Sequence, residues 1–205
     1  MATFDGDGIS YISGETLEKA QRELGEDPKT RAAVIQELQD KIEQWEPSPE
    51  EEGLTFSRKD DKFLLRYLRA KKFDTERALQ LYVNYHKYRK KYEGLLGEVT
   101  PNAAEHILKS GLVSVLPERS KSGCKVLVIR AVMWNPETIP PEDVLKTYLL
   151  LLDKLIEEEE TQVHGVVILE DLNGIDLYRI YHLAQASQVQ KGVAVELLQV
   201  CTQNI

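Results

Sequence analysis

Asp61-Lys-Phe-Leu-Leu-Arg-Tyr-Leu-Arg-Ala-Lys-Lys-Phe-Asp74 writes two patterns into one helix. At about 100° per residue, Lys62, Arg66 and Arg69 fall within roughly 60° of one another, which predicts a cationic stripe on a helix running from about Asp60 to Lys71. Phe63, Leu64, Tyr67 and Leu68 take the other side, the side that packs. Asp74 is placed to cap a following helix, about Thr75 to Tyr92, whose Ala78, Leu81, Tyr82, Tyr85, Tyr88 and Tyr92 share one face. Basic residues interleaved with tyrosines can mark a nucleic-acid surface, but tyrosines on a single helical stripe are core packing. No nucleic-acid partner is expected.

Charge makes the same region stand out. The 205-residue chain has a net charge of −8, yet residues 58–91 hold twelve Lys and Arg against four Asp and Glu, so this window is +8 and the remainder −16. An acidic protein with one basic region meets an anionic surface there. No apolar run approaches the roughly 20 residues a membrane span needs, and the amino terminus has neither a basic nor an apolar signal segment. Ala2 stands where myristoylation requires glycine, and Thr202-Gln-Asn-Ile205 lacks the cysteine of a prenylation signal. Membrane contact is therefore expected to be peripheral.

Upstream, Ser13 can cap a short helix carrying Leu17, Ala20 and Leu24 that Gly25 ends. Pro28 suits the first turn of a second helix, in which Val34, Ile35, Leu38, Ile42 and Trp45 recur at three- and four-residue steps. Pro47 to Gly53, rich in proline and acid, reads as an exposed linker. Downstream of Pro101 the period changes. A short helix ends at Gly111, and Leu112 to Leu116 and Val126 to Ile129 read as strands joined by a polar turn. Pro141 opens a helix to about Glu158 whose apolar face, from Val144 to Ile156, covers roughly 160°. Val166 to Leu169 reads as an interior strand, followed by a turn at Glu170 to Gly174 and two further helical segments. The expected fold is an all-α amino-terminal module joined to an α/β domain. Its divisions are an irregular segment over 1–12, a helical domain over 13–98 and an α/β domain over 99–205.

Catalytic chemistry finds little support. Cys124 and Cys201 form no CxxC pair and read as free thiols of a reducing compartment. His86, His106, His164 and His182 have no metal-ligand spacing, and no G-x-S-x-G, P-loop or dinucleotide motif occurs. A hydrolase built on Glu170 and His164 is the weakest alternative; neither an enzyme nor a cofactor is expected.

The opening stretch resembles the amino-terminal signature of the CRAL-TRIO lipid-transfer family, a D-x-F-L-L-R-F-L-R-A-R-K-F-D string. Ala78 to Leu81 with Asn84-Tyr85, Ser110-Gly111 before Val115-Leu-Pro117, and Glu159-Glu-Thr-Gln-Val-His-Gly165 beside the family's E-E-T-Q-x-N-G element extend the likeness from residue 13 to about 185. The branch it resembles is that of the retinaldehyde-binding and α-tocopherol transfer proteins. The resemblance implies a carrier that shields one small hydrophobic lipid, a retinoid, tocopherol or similar, and exchanges it at membranes. Burial of apolar area at about 25 cal/mol per Å² supplies the affinity, with few polar contacts fixing the head group.

By the same resemblance Tyr148, Leu152 and Glu170 are the expected ligand-contacting residues. Lys62, Arg66, Arg69 and Lys71 are the expected phosphoinositide-binding set. Lys71 stands where the family has Arg and so loses the bidentate fork. Tyr148 and Leu152 occupy positions that are serines near the ligand in the tocopherol protein, so a copied tocopherol site is not expected. The implied setting is the cytoplasm, at endosomal or Golgi membranes. After Leu197-Leu-Gln199 the family's D-x-F-P continuation gives way to Val200-Cys-Thr-Gln-Asn-Ile205, and Ala184 to Val195 aligns poorly. The expectation is an alternative isoform or incomplete gene model whose lipid domain, lacking its second half, exposes an edge strand and an apolar face and is marginal alone. The other reading is a non-transporting adaptor that keeps membrane docking through its helical module.

Overall fold

A computed structural model of the chain describes residues 3–4, 10–12, 14–56, 58–91, 93 and 101–181. Ser13, Tyr92, His182, Cys201 and the segment from Ala184 to Val195, each given a part by the sequence, lie outside the described residues.

The first pairing is too short to leave a periodic pattern: β1 (Thr3–Phe4) and β2 (Ser10–Tyr11) lie antiparallel where the sequence suggests only irregular chain. Helix α1 (Gly14–Lys19) continues into a π-helical turn over Ala20–Leu24. Gly25 ends it at φ 76°, a left-handed conformation that costs glycine little. Helix α2 (Arg31–Glu43) buries Ile35, Leu38 and Ile42. It begins three residues beyond Pro28, because the Asp27 carbonyl accepts the Thr30 and Arg31 N–H groups and its carboxylate accepts that of Lys29, closing a turn first. The acidic linker contains a 3₁₀ turn, Pro49–Glu51, fixed by reciprocal capping between Ser48 and Glu51.

Helix α3 (Asp61–Ala70) starts where the Asp60 carboxylate accepts the Phe63 N–H, and α4 (Thr75–Lys91) starts where Asp74 accepts that of Arg77. Every residue of α3 from Phe63 to Arg69 is buried. Helices α2, α3 and α4 share one core, which Leu145 from the next domain enters.

The second domain comprises α5 (Pro101–Ser110), β3 (Val113–Val115), β4 (Lys125–Arg130), α6 (Pro141–Leu155), α7 (Glu159–His164) and β5 (Val166–Asp171). Its sheet has the order β3-β4-β5. β3 pairs antiparallel with β4, with Ser114 opposite Val128, and β5 pairs parallel, with Leu127 opposite Ile168. A parallel neighbour requires a crossover, and α6 with α7 supplies it. α6 stops at Leu155 rather than Glu158. Four successive glutamates, Glu157 to Glu160, are unfavourable at a helix C-terminus and favourable at the N-terminus of α7 that they open.

Among the described residues strand β5 lies at the edge of the sheet, where the apolar run suggests an interior strand. Among the described residues it pairs only with β4, and while Val166 is buried, Val167 and Leu169 are 37% and 51% exposed. An unbroken apolar run records that both faces are apolar, not that both are covered.

Candidate functional site

Side chains alternate across the sheet, so Val113, Leu127, Ile129, Val166 and Ile168 point to one face. That face is closed by α6 and α5: Tyr148, Leu152 and Leu155 pack with Ile107, Leu127, Trp134 and Val166. Tyr148 is 8% and Leu152 1% exposed, so both are components of this second core. Glu170 follows Val166 and Ile168 on the same side by alternation but lies exposed near the end of β5. The structure thus brings Tyr148 and Leu152 together and leaves Glu170 at the rim.

For the opposite face the sequence supports the expectation of an exposed apolar surface but names no residues. That face carries Val126, Val128, Val167 and Leu169 and is covered only in part: Val128 is buried, Leu169 half exposed. Met133, Leu172, Leu177, Ile180 and Tyr181, in the segments that follow β4 and β5, are exposed as well. The only trace of that face in the sequence is that Val166 to Leu169 has no polar alternation.

The cationic stripe dissolves on folding. Lys62 is exposed on the first turn of α3. Arg66 is 8% exposed, with its guanidinium 4.0 Å from the Phe63 ring centroid, a cation–π contact. Arg69 is fully buried. Its Nε and one terminal nitrogen donate to the two Glu26 carboxylate oxygens at 2.8 and 2.9 Å, and it also donates to Glu159 at 3.0 Å and Gln162 at 2.7 Å. Arg31 pairs with Glu26 from the other side at 2.8 Å, and Gln162 donates onward to the Ile156 carbonyl. Four of the five Arg69 N–H groups are taken up inside the protein and the side chain is wholly enclosed, which does not favour the membrane-facing role the resemblance implies. The periodicity gave the direction of the side chain correctly; what it could not give is that α7 covers that direction. Lys71 lies half-buried just past the helix, its ammonium shifted down by burial and by the neighbouring Arg77 charge. Lys72, exposed beside it, has φ 54°, and Phe73 has φ 59°. Two successive left-handed non-glycine residues are held because the Phe73 N–H reaches the Leu68 carbonyl at 2.7 Å and the ring packs into the first core.

Residues 34–84 match the CRAL/TRIO N-terminal domain, and residues 109–196 match the CRAL/TRIO domain. The chain belongs to the CRAL-TRIO family. It is 40% identical over 174 residues to the alpha-tocopherol transfer protein-like protein of Homo sapiens, covering 85% of this chain and 49% of that one. Human clavesin-2 is 35% identical over 162 residues, covering 78% and 48%, and Xenopus laevis clavesin-1 is 31% identical over 193 residues, covering 92% and 54%. The CRAL-TRIO chain spans about half the length of the curated relatives it matches. The Arg69 clasp therefore joins the family's two units, α3 of the first to α7 of the second. Among the described residues no helix is long and apolar enough to cross a membrane, and no three metal-ligating side chains converge.

Proposed function

We propose that this CRAL-TRIO chain is a non-enzymatic carrier that binds a small hydrophobic lipid against its three-stranded sheet and moves it between membranes. Lipid binding in general accords with the family and with relatives named for tocopherol transfer. The observation that carries the reading is the sheet itself. It is apolar on both faces, one sealed by α6 and the other open at Val167 and Leu169. A lipid laid on the open face buries that surface; Asp171, the last residue of β5, shares that face by alternation, while Glu170 stands at the rim of the helix-covered face. Tyr148 and Leu152 form the wall behind the sheet; a lipid entering on their side must part them from Leu127 and Val166.

Docking is assigned to the basic edge after α3. Lys71, Lys72 and Arg77, with Lys62 at the opposite end of the helix, present cations to a phosphoinositide surface, while Arg66 and Arg69 are withdrawn from that role by burial. The experiment is to purify the chain from eukaryotic cells, extract it with organic solvent and identify the lipid by mass spectrometry. A near-stoichiometric single lipid class is expected. A folded, monodisperse sample that yields none overturns the carrier reading. Flotation with phosphatidylcholine vesicles, with and without phosphatidylinositol bisphosphate, tests docking. Lys71→Glu with Arg77→Glu is expected to abolish the phosphoinositide-dependent, salt-sensitive fraction.

A further inference from the structure

The open face of the sheet changes character along its length. Register and alternation set its residues in three rows: Val126 beside Val167, then Ser114, Val128 and Leu169, then Arg130 beside Asp171. The charged row stands at the carboxyl ends of the parallel strands β4 and β5, the end at which open α/β sheets bind ligands. From Arg130 back to Val126 the face runs for about 13 Å of strand. It is apolar apart from Ser114 until that last row is reached.

The two charges of the row do not pair. Asp171 accepts the Asn173 N–H at 3.0 Å, past the end of the strand, and no ion pair joins it to Arg130 among the described residues. One terminal nitrogen of Arg130, Nη1, lies 3.5 Å from the Ser114 hydroxyl and 3.5 Å from the Gly111 carbonyl, beyond the ordinary hydrogen-bond range. Contact with Ser114 puts the guanidinium on the open face. Nε and Nη2 have no partner among the described residues and are open to solvent. These two N–H groups form one edge of the guanidinium fork, which takes both oxygens of a carboxylate. Arg69 shows the same edge in use, gripping the Glu26 carboxylate through Nε and Nη2.

We propose that the lipid this face receives carries a terminal carboxylate, which Arg130 takes on its Nε–Nη2 edge while the hydrocarbon lies along Leu169 and Val167. The assignment rests on the carrier reading and on the open face as its lipid site. An alcohol or aldehyde head has no second charged oxygen for the fork and makes the weaker, neutral kind of hydrogen bond. A phosphate monoester brings a charge of about −1.5 to −2 to a row that already holds Asp171, more than one guanidinium balances. A single carboxylate matches the one free cationic edge.

Dodecanoate and 1-dodecanol, which share one alkyl chain and differ at the head group, test this by equilibrium dialysis of the radiolabelled lipids against the full chain at about pH 7.5, where the acid is ionised. Dodecanoate is expected to bind at least about tenfold more tightly than the alcohol. Arg130→Met is expected to bring dodecanoate down to the affinity of the alcohol. Arg130→Lys, which keeps the charge without the fork, is expected to leave an intermediate preference. Equal affinity of the parent chain for the two lipids overturns the carboxylate and leaves the carrier reading standing. Binding of neither by a folded chain overturns both. A preference that survives in full in Arg130→Met also overturns the assignment to Arg130, and Arg130→Gln takes the place of that chain should it fail to fold.

Discussion

The Arg69 guanidinium grips the Glu26 carboxylate through two parallel hydrogen bonds of 2.8 and 2.9 Å, with both side chains wholly enclosed. A paired charge in that setting tolerates its burial only while the partner is present. Arg69→Ala is expected to destabilise the chain by about 3–5 kcal/mol because it strands Glu26 and leaves Glu159 and Gln162 without their donor. The double substitution Glu26→Gln with Arg69→Met is expected to cost clearly less than the sum of the two single changes. Equilibrium denaturation of Arg69→Ala, and of the four chains of the Glu26→Gln/Arg69→Met double-mutant cycle, checks both expectations.

Helix α3 depends on one capping side chain. The Asp60 carboxylate accepts the Phe63 N–H at 3.1 Å, satisfying a donor the helix cannot pair internally. Asp60→Ala is expected to cost about 1 kcal/mol, and Asp60→Asn or Asp60→Ser only a fraction of that. Shifts in urea midpoint at constant slope would measure it.

The elements were largely legible because local signals wrote them. Asp60 and Asp74 cap where they stand in the sequence, Gly25 ends the π-helical turn, and the period changes after Pro101. Which surface each face meets was not legible. Lys62, Arg66 and Arg69 share a helical side, yet one lies in solvent, one against Phe63 and one inside a carboxylate cage. That cage needs Glu26 from 43 residues before and Glu159 from 90 after, separations no periodicity encodes. The same holds for Val166 to Leu169: hydrophobicity fixed a strand, while which of its two faces is covered depends on how α6 crosses the sheet. Glu26 itself could have been flagged, being an acid between two amphipathic helices, but nothing local distinguishes it from its exposed neighbour Asp27.

His86 supplies a pH dependence of determined sign. Its ring packs 4.4 Å from that of Tyr82 and 5.1 Å from that of Phe56, and burial holds its titration below the ordinary imidazole range. The Tyr82 carbonyl at 2.9 Å opposes that shift and Arg89 reinforces it. The folded state therefore favours the neutral ring. Its contribution is complete above the unfolded value, about 6.5, and is lost as pH falls through that value toward the lower folded one. Unfolding free energies measured from about pH 7.5 to 5 are expected to fall less steeply in His86→Asn than in the parent chain, whatever the absolute cost of the substitution.

The two faces of the sheet make opposite demands on mutation. Leu152, 1% exposed, packs between α6 and the helix-covered face, and Leu152→Ala is expected to cost about 2–5 kcal/mol through the cavity it leaves. Leu169, 51% exposed on the other face, has little packing to lose, so Leu169→Asp is expected to change stability by less than about 1 kcal/mol. If the open face receives the lipid, the ordering reverses when bound lipid is measured. Leu169→Asp puts a carboxylate under the acyl or ring moiety and is expected to remove extractable lipid from a chain that still melts cooperatively. Thermal melts and solvent extraction on the same two preparations decide it: lipid retained by Leu169→Asp and lost by a folded Leu152→Ala would move the site to the side of Tyr148 and Leu152.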